Sequence, residues 1–87
     1  MTAYHIYYCP DSDTITQVAY DDLSLQEAKS IFIPLVNTAR LTGGQVRLFD
    51  DNLHLVACCG CYLIKDTFPR EWEAEIAHLQ SRMELLD

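Results

Sequence analysis

The stretch SLQEAKSIFIPLVNTARLTGG, residues 24–44, reads as a complete helix with its own start and stop. Ser24 is followed three residues later by Glu27, which is a capping box. The serine hydroxyl accepts from the Glu27 amide, and the carboxylate reaches back to the Ser24 amide. Leu25, Ala28, Phe32, Leu35, Val36 and Ala39 fall at helical spacing on one face, and Gln26, Lys29, Ser30, Asn37 and Arg40 take the other. Gly43 and Gly44 supply the stop. Pro34 disturbs the pattern, because an interior proline deletes a hydrogen bond and presses on the carbonyl of Ser30. The expectation is a kink with helix on both sides; a break into two shorter helices is the alternative.

Strand-forming segments flank this helix. Residues 3–9 are aromatic and β-prone and read as a first strand. Pro10, Asp11, Ser12 and Asp13 make a turn, and residues 14–20 read as a second strand, so the pair forms an antiparallel hairpin. After the glycines, residues 45–49 and 53–57 alternate in character around a turn at Asp50, Asp51 and Asn52, giving a second hairpin. Apolar character continues from Cys58 to Ile64, which suggests a long fourth strand with a bulge or bend at Gly60.

The chain closes with a second helix. Asp66 or Thr67 is placed to cap it, Pro69 suits its first turn, and Glu71, Glu73 and Glu75 lie near its positive end. Trp72, Ile76, Leu79, Met83 and Leu86 fall on one heptad-like stripe. The order is therefore ββαββα in a single α+β domain over residues 1–87. The expected architecture is a four-stranded, mainly antiparallel sheet with both helices packed on it; one parallel pair is the alternative. The expected core holds Ile6, Val18, Phe32, Leu35, Val46, Leu48, Leu55, Ala57, Ile76 and Leu79.

Charge narrows the function classes. Thirteen acidic residues stand against six basic ones in 87 residues, a net charge of -7. Such a field repels nucleic-acid backbones and anionic membranes and attracts basic protein surfaces. The plainer reading is that surplus acid keeps the protein dissolved. Residues 1–10 lack a basic segment followed by an unbroken apolar run, and the longest apolar run, Leu55 to Ile64, has ten residues where a membrane span needs about 20. These features lead to the expectation of a cytoplasmic protein with its four cysteines reduced.

The cysteine cluster Cys58-Cys59-Gly60-Cys61 contains a C-x-x-C spacing. A reactive pair of that kind sits at a helix N-terminus, which lowers the thiol pKa; here Tyr62, Leu63 and Ile64 follow, and they read as strand. The preferred reading is three small buried side chains in a central strand. His5 and Cys9 with Cys58 and Cys61 are a weak candidate zinc set. On a straight strand His5 and Cys9 stand about 13 Å apart, too far for one tetrahedral site unless the Cys9-Pro10 turn folds back onto Gly60. No metal or other cofactor is expected.

The carboxylates come in pairs: Asp11 with Asp13, Asp21 with Asp22, and Asp50 with Asp51. Paired acids can hold a cation or do acid–base work, but aspartate also favours turns and helix starts for local hydrogen-bonding reasons. His5, His54 and His78 are scattered without a nucleophile motif, so no enzyme activity is expected. The aromatic first hairpin, with Tyr4, Tyr7, Tyr8 and Tyr20, would expose tyrosine on one face, a feature of binding surfaces. Stacking on RNA would need basic flanks, which the chain lacks.

The leading expectation is a non-enzymatic protein-binding module, an inhibitor or accessory subunit that docks on a basic protein surface. The partner-binding candidates are Asp11, Asp13, Asp21, Asp22, Asp50, Asp51 and Tyr7. Anti-restriction, anti-CRISPR and bacterial immunity proteins use the same physics, including mimicry of nucleic acid; the parallel is one of size, charge and layout, and no residue motif accompanies it. Two alternatives stand beside it. One is a thiol or metal protein centred on Cys58, Cys59 and Cys61. The other is a homodimer or partner contact through Trp72, Ile76, Leu79 and Met83, a stripe narrower than a globular packing face usually is.

Overall fold

The computed structural model describes residues 3–10, 17–62 and 64–85, without the side chains of 80–85. Its elements follow the order β1 (Tyr4–Cys9), β2 (Val18–Leu23), α1 (Leu25–Thr42), β3 (Gln45–Phe49), β4 (Leu55–Cys59) and α2 (Arg70–Leu85). The four strands form one sheet in the order β2-β1-β3-β4, and every neighbouring pair is antiparallel. The parallel pair left open by the sequence does not occur.

α1 starts as the capping box dictates. The Glu27 amide donates to the Ser24 hydroxyl at 3.1 Å, and the Ser24 amide donates to the Glu27 carboxylate at 3.0 Å. The helix ends at Gly43, whose left-handed backbone (φ 77°) lets its N–H bond the Ala39 carbonyl at 2.8 Å. One helix runs through Pro34, so the break into two does not happen. The Thr38 hydroxyl donates to the Pro34 carbonyl at 3.2 Å.

α1 packs on the strands with one flank and on α2 with another. Being covered on two sides widens its buried stripe. Ile33 and Asn37 join Ala28, Phe32, Val36 and Ala39, although the sequence placed Asn37 on the polar face. Leu25, placed on the apolar face, is half exposed at the first turn, and Leu35, expected in the core, is only partly buried. The Asn37 side chain donates to the Ile33 carbonyl at 3.4 Å, while its own Oδ1 has no partner.

Ile6, Val46, Leu48, Ala57 and Cys59 meet α1 from the sheet, and Trp72 and Ile76 complete the same core from α2. Phe32 is the hub, with ring centroids 5.8 Å from Trp72 and 6.1 Å from Phe68. The Lys29–Glu75 ion pair, 3.0 Å long, ties the two helices on the solvent side.

Two bulges redirect the strands. Tyr4 pairs with Leu23 and Ile6 with Tyr20, so β2 carries one extra residue at Asp21–Asp22. The insertion keeps Tyr20 and Leu23 turned toward the core and leaves two consecutive aspartates exposed. β2 consequently reaches Leu23 instead of ending at Tyr20. In β3–β4, Leu48 pairs with Ala57 but Phe49 with Leu55, so Val56 is the extra residue. A one-residue insertion reverses which face a side chain takes, and Leu55 is therefore 38% exposed and not a core residue. Val18, at the start of the edge strand, is 38% exposed as well.

β4 stops at Cys59 and does not extend to Ile64. Gly60 takes a left-handed φ of 74°, and the chain turns back so that Thr67 bridges to Cys58 through two backbone hydrogen bonds of 2.9 and 3.0 Å. Asp66 and Thr67 do not occupy the cap of α2, because Pro69 stands directly before it. The Asp66 carboxylate instead accepts from the Gly60 amide at 3.0 Å, and the Thr67 hydroxyl donates to the Lys65 carbonyl at 3.0 Å.

Candidate functional site

The sheet register gathers four of the candidate acids at one end. His5 lies beside the Asp21–Asp22 bulge on one side and pairs with Phe49 on the other. Phe49 leads directly into Asp50 and Asp51. β2 and β3 flank β1, so the two aspartate pairs stand within about two strand spacings, roughly 10 Å. Asp11 and Asp13 lie outside the described residues; the strand ends Cys9 and Val18 that bound their segment are at the opposite end of the sheet.

These four acids differ in what already engages them. The Asp21 carboxylate is 3.1 Å from His5 Nδ1. Asp22 adopts φ 57°, a left-handed conformation that aspartate tolerates better than most residues. Asp50 organises the hairpin turn: its carboxylate accepts from the amides of Asn52 and His54, both at 2.9 Å, and its carbonyl accepts from the Leu53 amide at 3.0 Å. Asp51 is exposed at the tip. Leu53 sits where such turns usually place glycine, with φ 62° and 67% of its surface exposed.

Among the described residues no helix covers the sheet face opposite α1. Tyr7 lies on that face between Ala19 and Arg47, with its ring edge-on to Phe49 at 5.6 Å. At the edge, Asp21 and Asp22 put charge and a bulge on β2, two devices that discourage another strand from pairing there.

The stripe on α2 faces inward. Trp72 and Ile76 are 4% and 3% exposed, and Leu79 packs partly against the same core. The Met83 side chain lies outside the described residues. The first half of the stripe is thus committed to holding α2 on α1.

The cysteines divide between the two faces of β4. Cys59 points into the core, where its thiol meets Asp66 at 3.6 Å. Burial pushes its pKa up to about 11; Asp66 adds to the rise and Arg40 opposes it. Cys58 pairs with Arg47 on the other face and is buried under the returning chain, its thiol donating to the Lys65 carbonyl at 3.5 Å. Cys9 does approach this corner, since it pairs with Gln45 and Gly60 sits against Gly44 and Gln45. His5 is near the other end of β1, bonded to Asp21, so the four-ligand zinc set does not assemble. Among the described residues no group of three His, Cys, Asp or Glu side chains is arranged to hold a metal ion, and no helix is long and apolar enough to cross a membrane.

Leu53 was not singled out in the sequence as a strained, exposed position. The signal was the string Asp50-Asp51-Asn52-Leu53, a turn lacking the glycine its geometry favours. Comparison with protein families, characterised proteins and solved structures finds no match to this chain.

Proposed function

We propose that this chain is a non-enzymatic protein-binding module, an inhibitor or accessory subunit in kind, which docks on a basic protein surface through the acidic end of its sheet. The observation that supports this reading most is that the register brings Asp21, Asp22, Asp50 and Asp51 to one end of the sheet, where the Asp50 turn also carries an exposed leucine, Leu53, in an unfavourable backbone conformation. Strain of this kind persists only when the surrounding structure imposes it, and it clusters at functional positions. The acids supply long-range attraction and orientation, and Leu53, at the tip beside Asp51, supplies an apolar contact. Tyr7 and Phe49 extend the surface along the open sheet face. A basic surface of the type that holds a phosphate backbone fits the same charge pattern.

The test is capture of partners from the native host's lysate on immobilised protein, followed by measured binding of the purified partner. Wild type is compared with a triple variant Asp21→Asn, Asp22→Asn, Asp51→Asn; Asp50 is left intact because the turn depends on it. Docking by charge predicts binding at about 0.05 M salt that falls steeply by about 0.5 M, since exposed charges are screened over a few ångströms at the higher value. It also predicts loss of binding in the triple variant. Binding indifferent to both salt and substitution would sink the proposal.

A further inference from the structure

Cys58 and Cys61 are brought together by the turn at Gly60. Alternation along β4 places Cys58 on the face opposite the core, beside Arg47. The left-handed Gly60 then reverses the chain, and the Cys61 thiol comes back beside the end of β4, its Sγ 4.0 Å from the Cys59 carbonyl and near enough to Cys58 for the two thiols to interact. The reversal is fixed at several points: Thr67 bridges to Cys58, Asp66 accepts from the Gly60 amide, and a Cβ on Gly60 would collide with the Gly44 carbonyl. All four cysteines are free thiols. Cys58 is fully buried, whereas Cys61 is only partly so. Arg47, directly across from Cys58, has a buried Nε with no hydrogen-bond partner. A buried donor on a permanently charged group lacks an acceptor, and a thiolate on the neighbouring pair is the acceptor the site offers.

We propose that Cys58 and Cys61 form a dithiol modification site that closes to an intramolecular disulfide by exchange with a low-molecular-weight disulfide, with Arg47 stabilising the attacking thiolate. The site is separate from the acidic end of the sheet and does not rest on the binding role assigned there. Cys61, the more accessible thiol, loses its proton to water and attacks one sulfur of the reagent. The reagent's other sulfur leaves as a thiolate and takes up a proton. Cys58 then loses its proton and attacks Cys61 Sγ, expelling the second reagent sulfur. One protein dithiol and one disulfide reagent thus give one protein disulfide and two reagent thiols. Burial first, then the adjoining Cys58, pushes the Cys61 pKa above the ordinary 9.0, while Arg47 pulls it back. Exchange is therefore slow at neutral pH and accelerates as the solution passes into and beyond the ordinary thiol range.

The experiment treats the reduced full chain with glutathione disulfide under native conditions over a range of pH. Remaining thiols are then alkylated, and the products are read by intact mass and peptide mapping. The expected product has lost two hydrogens, about 2 Da, joins Cys58 to Cys61, and leaves Cys9 and Cys59 to be alkylated. Cys58→Ala should instead accumulate a stable glutathione adduct on Cys61, and Cys61→Ser should give neither adduct nor bridge at Cys58. Removing the charge in Arg47→Met should raise the Cys61 pKa. Each tenfold loss of thiolate is offset only about threefold by higher nucleophilicity, so exchange slows at neutral pH. Arg47→Lys should recover most of the rate. The wild-type mapping decides the pairing without any variant: persistent glutathione adducts, a bridge to Cys9 or Cys59, or chain-to-chain crosslinks would each overturn the proposal. A pH–rate profile unchanged in Arg47→Met would remove Arg47 from it.

Discussion

Leu53 and Asp22 show how single residues record a conflict between local preference and position. Both have positive φ, at 62° and 57°, and neither is glycine. For an L-residue this conformation costs roughly 1–2 kcal/mol, less for aspartate. Leu53 regains little from burial, since 67% of its surface faces solvent. Leu53→Asn should therefore raise stability by about 0.5–1 kcal/mol, read as a higher urea midpoint with an unchanged slope. The same variant should weaken binding to the basic partner if Leu53 is the apolar anchor. Opposite signs in the two measurements separate a binding residue from a structural one; a fall in stability would show that the leucine supports the hairpin.

At the scale of elements, α1 is the most locally specified part of the chain. Both halves of its capping box are made, at 3.1 and 3.0 Å. Ser24→Ala should cost about 1 kcal/mol and lower the melting temperature accordingly. Glu27 sets a pH dependence. The Ser24 amide, and then the Ser24 hydroxyl, hold its pKa below the usual 4.5. Its folded pKa is depressed, so its stabilisation is fully present above the unfolded value and disappears as pH falls through the lower folded one. Acid titration of wild type and Glu27→Gln should show a stability difference above about pH 5 that closes toward low pH. A difference that widened on acidification would contradict this assignment.

The strands were less legible. Alternation located β1 and β3 well, because their pairing is regular and their inward residues Ile6, Val46 and Leu48 are fully buried. It misjudged β2 and β4, where Asp21–Asp22 and Val56 insert an extra residue and change the phase. A bulge depends on the partner strand, and a single segment read alone has no partner. Cys58 to Ile64 looked like continuous strand for a similar reason: apolar character does not disclose that Gly60 turns left-handed and sends Thr67 back to Cys58.

Across the whole molecule, one aromatic centre joins the layers. Phe32 is fully buried between the sheet and the pair Phe68 and Trp72, and Arg40 lies over the Phe68 ring at 5.7 Å. Phe32→Ala should cost about 3–5 kcal/mol, the usual range for removing a buried ring. Native stabilities lie near 5–15 kcal/mol, and an 87-residue domain belongs toward the lower end, so most of the cooperative margin would go. Tryptophan fluorescence and far-ultraviolet circular dichroism should report loss of Trp72 packing together with helix content. Loss of the fluorescence change alone, with α1 and the sheet unaffected, would show that α2 is a separable appendage and not part of one cooperative core.

From the amino-acid order alone came the ββαββα succession, the start and end of α1, the alternating strands β1 and β3, and the surplus of acid. These follow from interactions between residues a few positions apart: a cap, a turn, a periodic apolar face. Tertiary structure decided the strand order, the exclusion of a parallel pair, the burial of Asn37, and which face of β4 meets α1. It also decided which acids stand together, separating Asp21, Asp22, Asp50 and Asp51 from the end of the sheet where Cys9 and Val18 lie. Each of these depends on contacts between segments far apart in the chain, whose energies no local pattern contains.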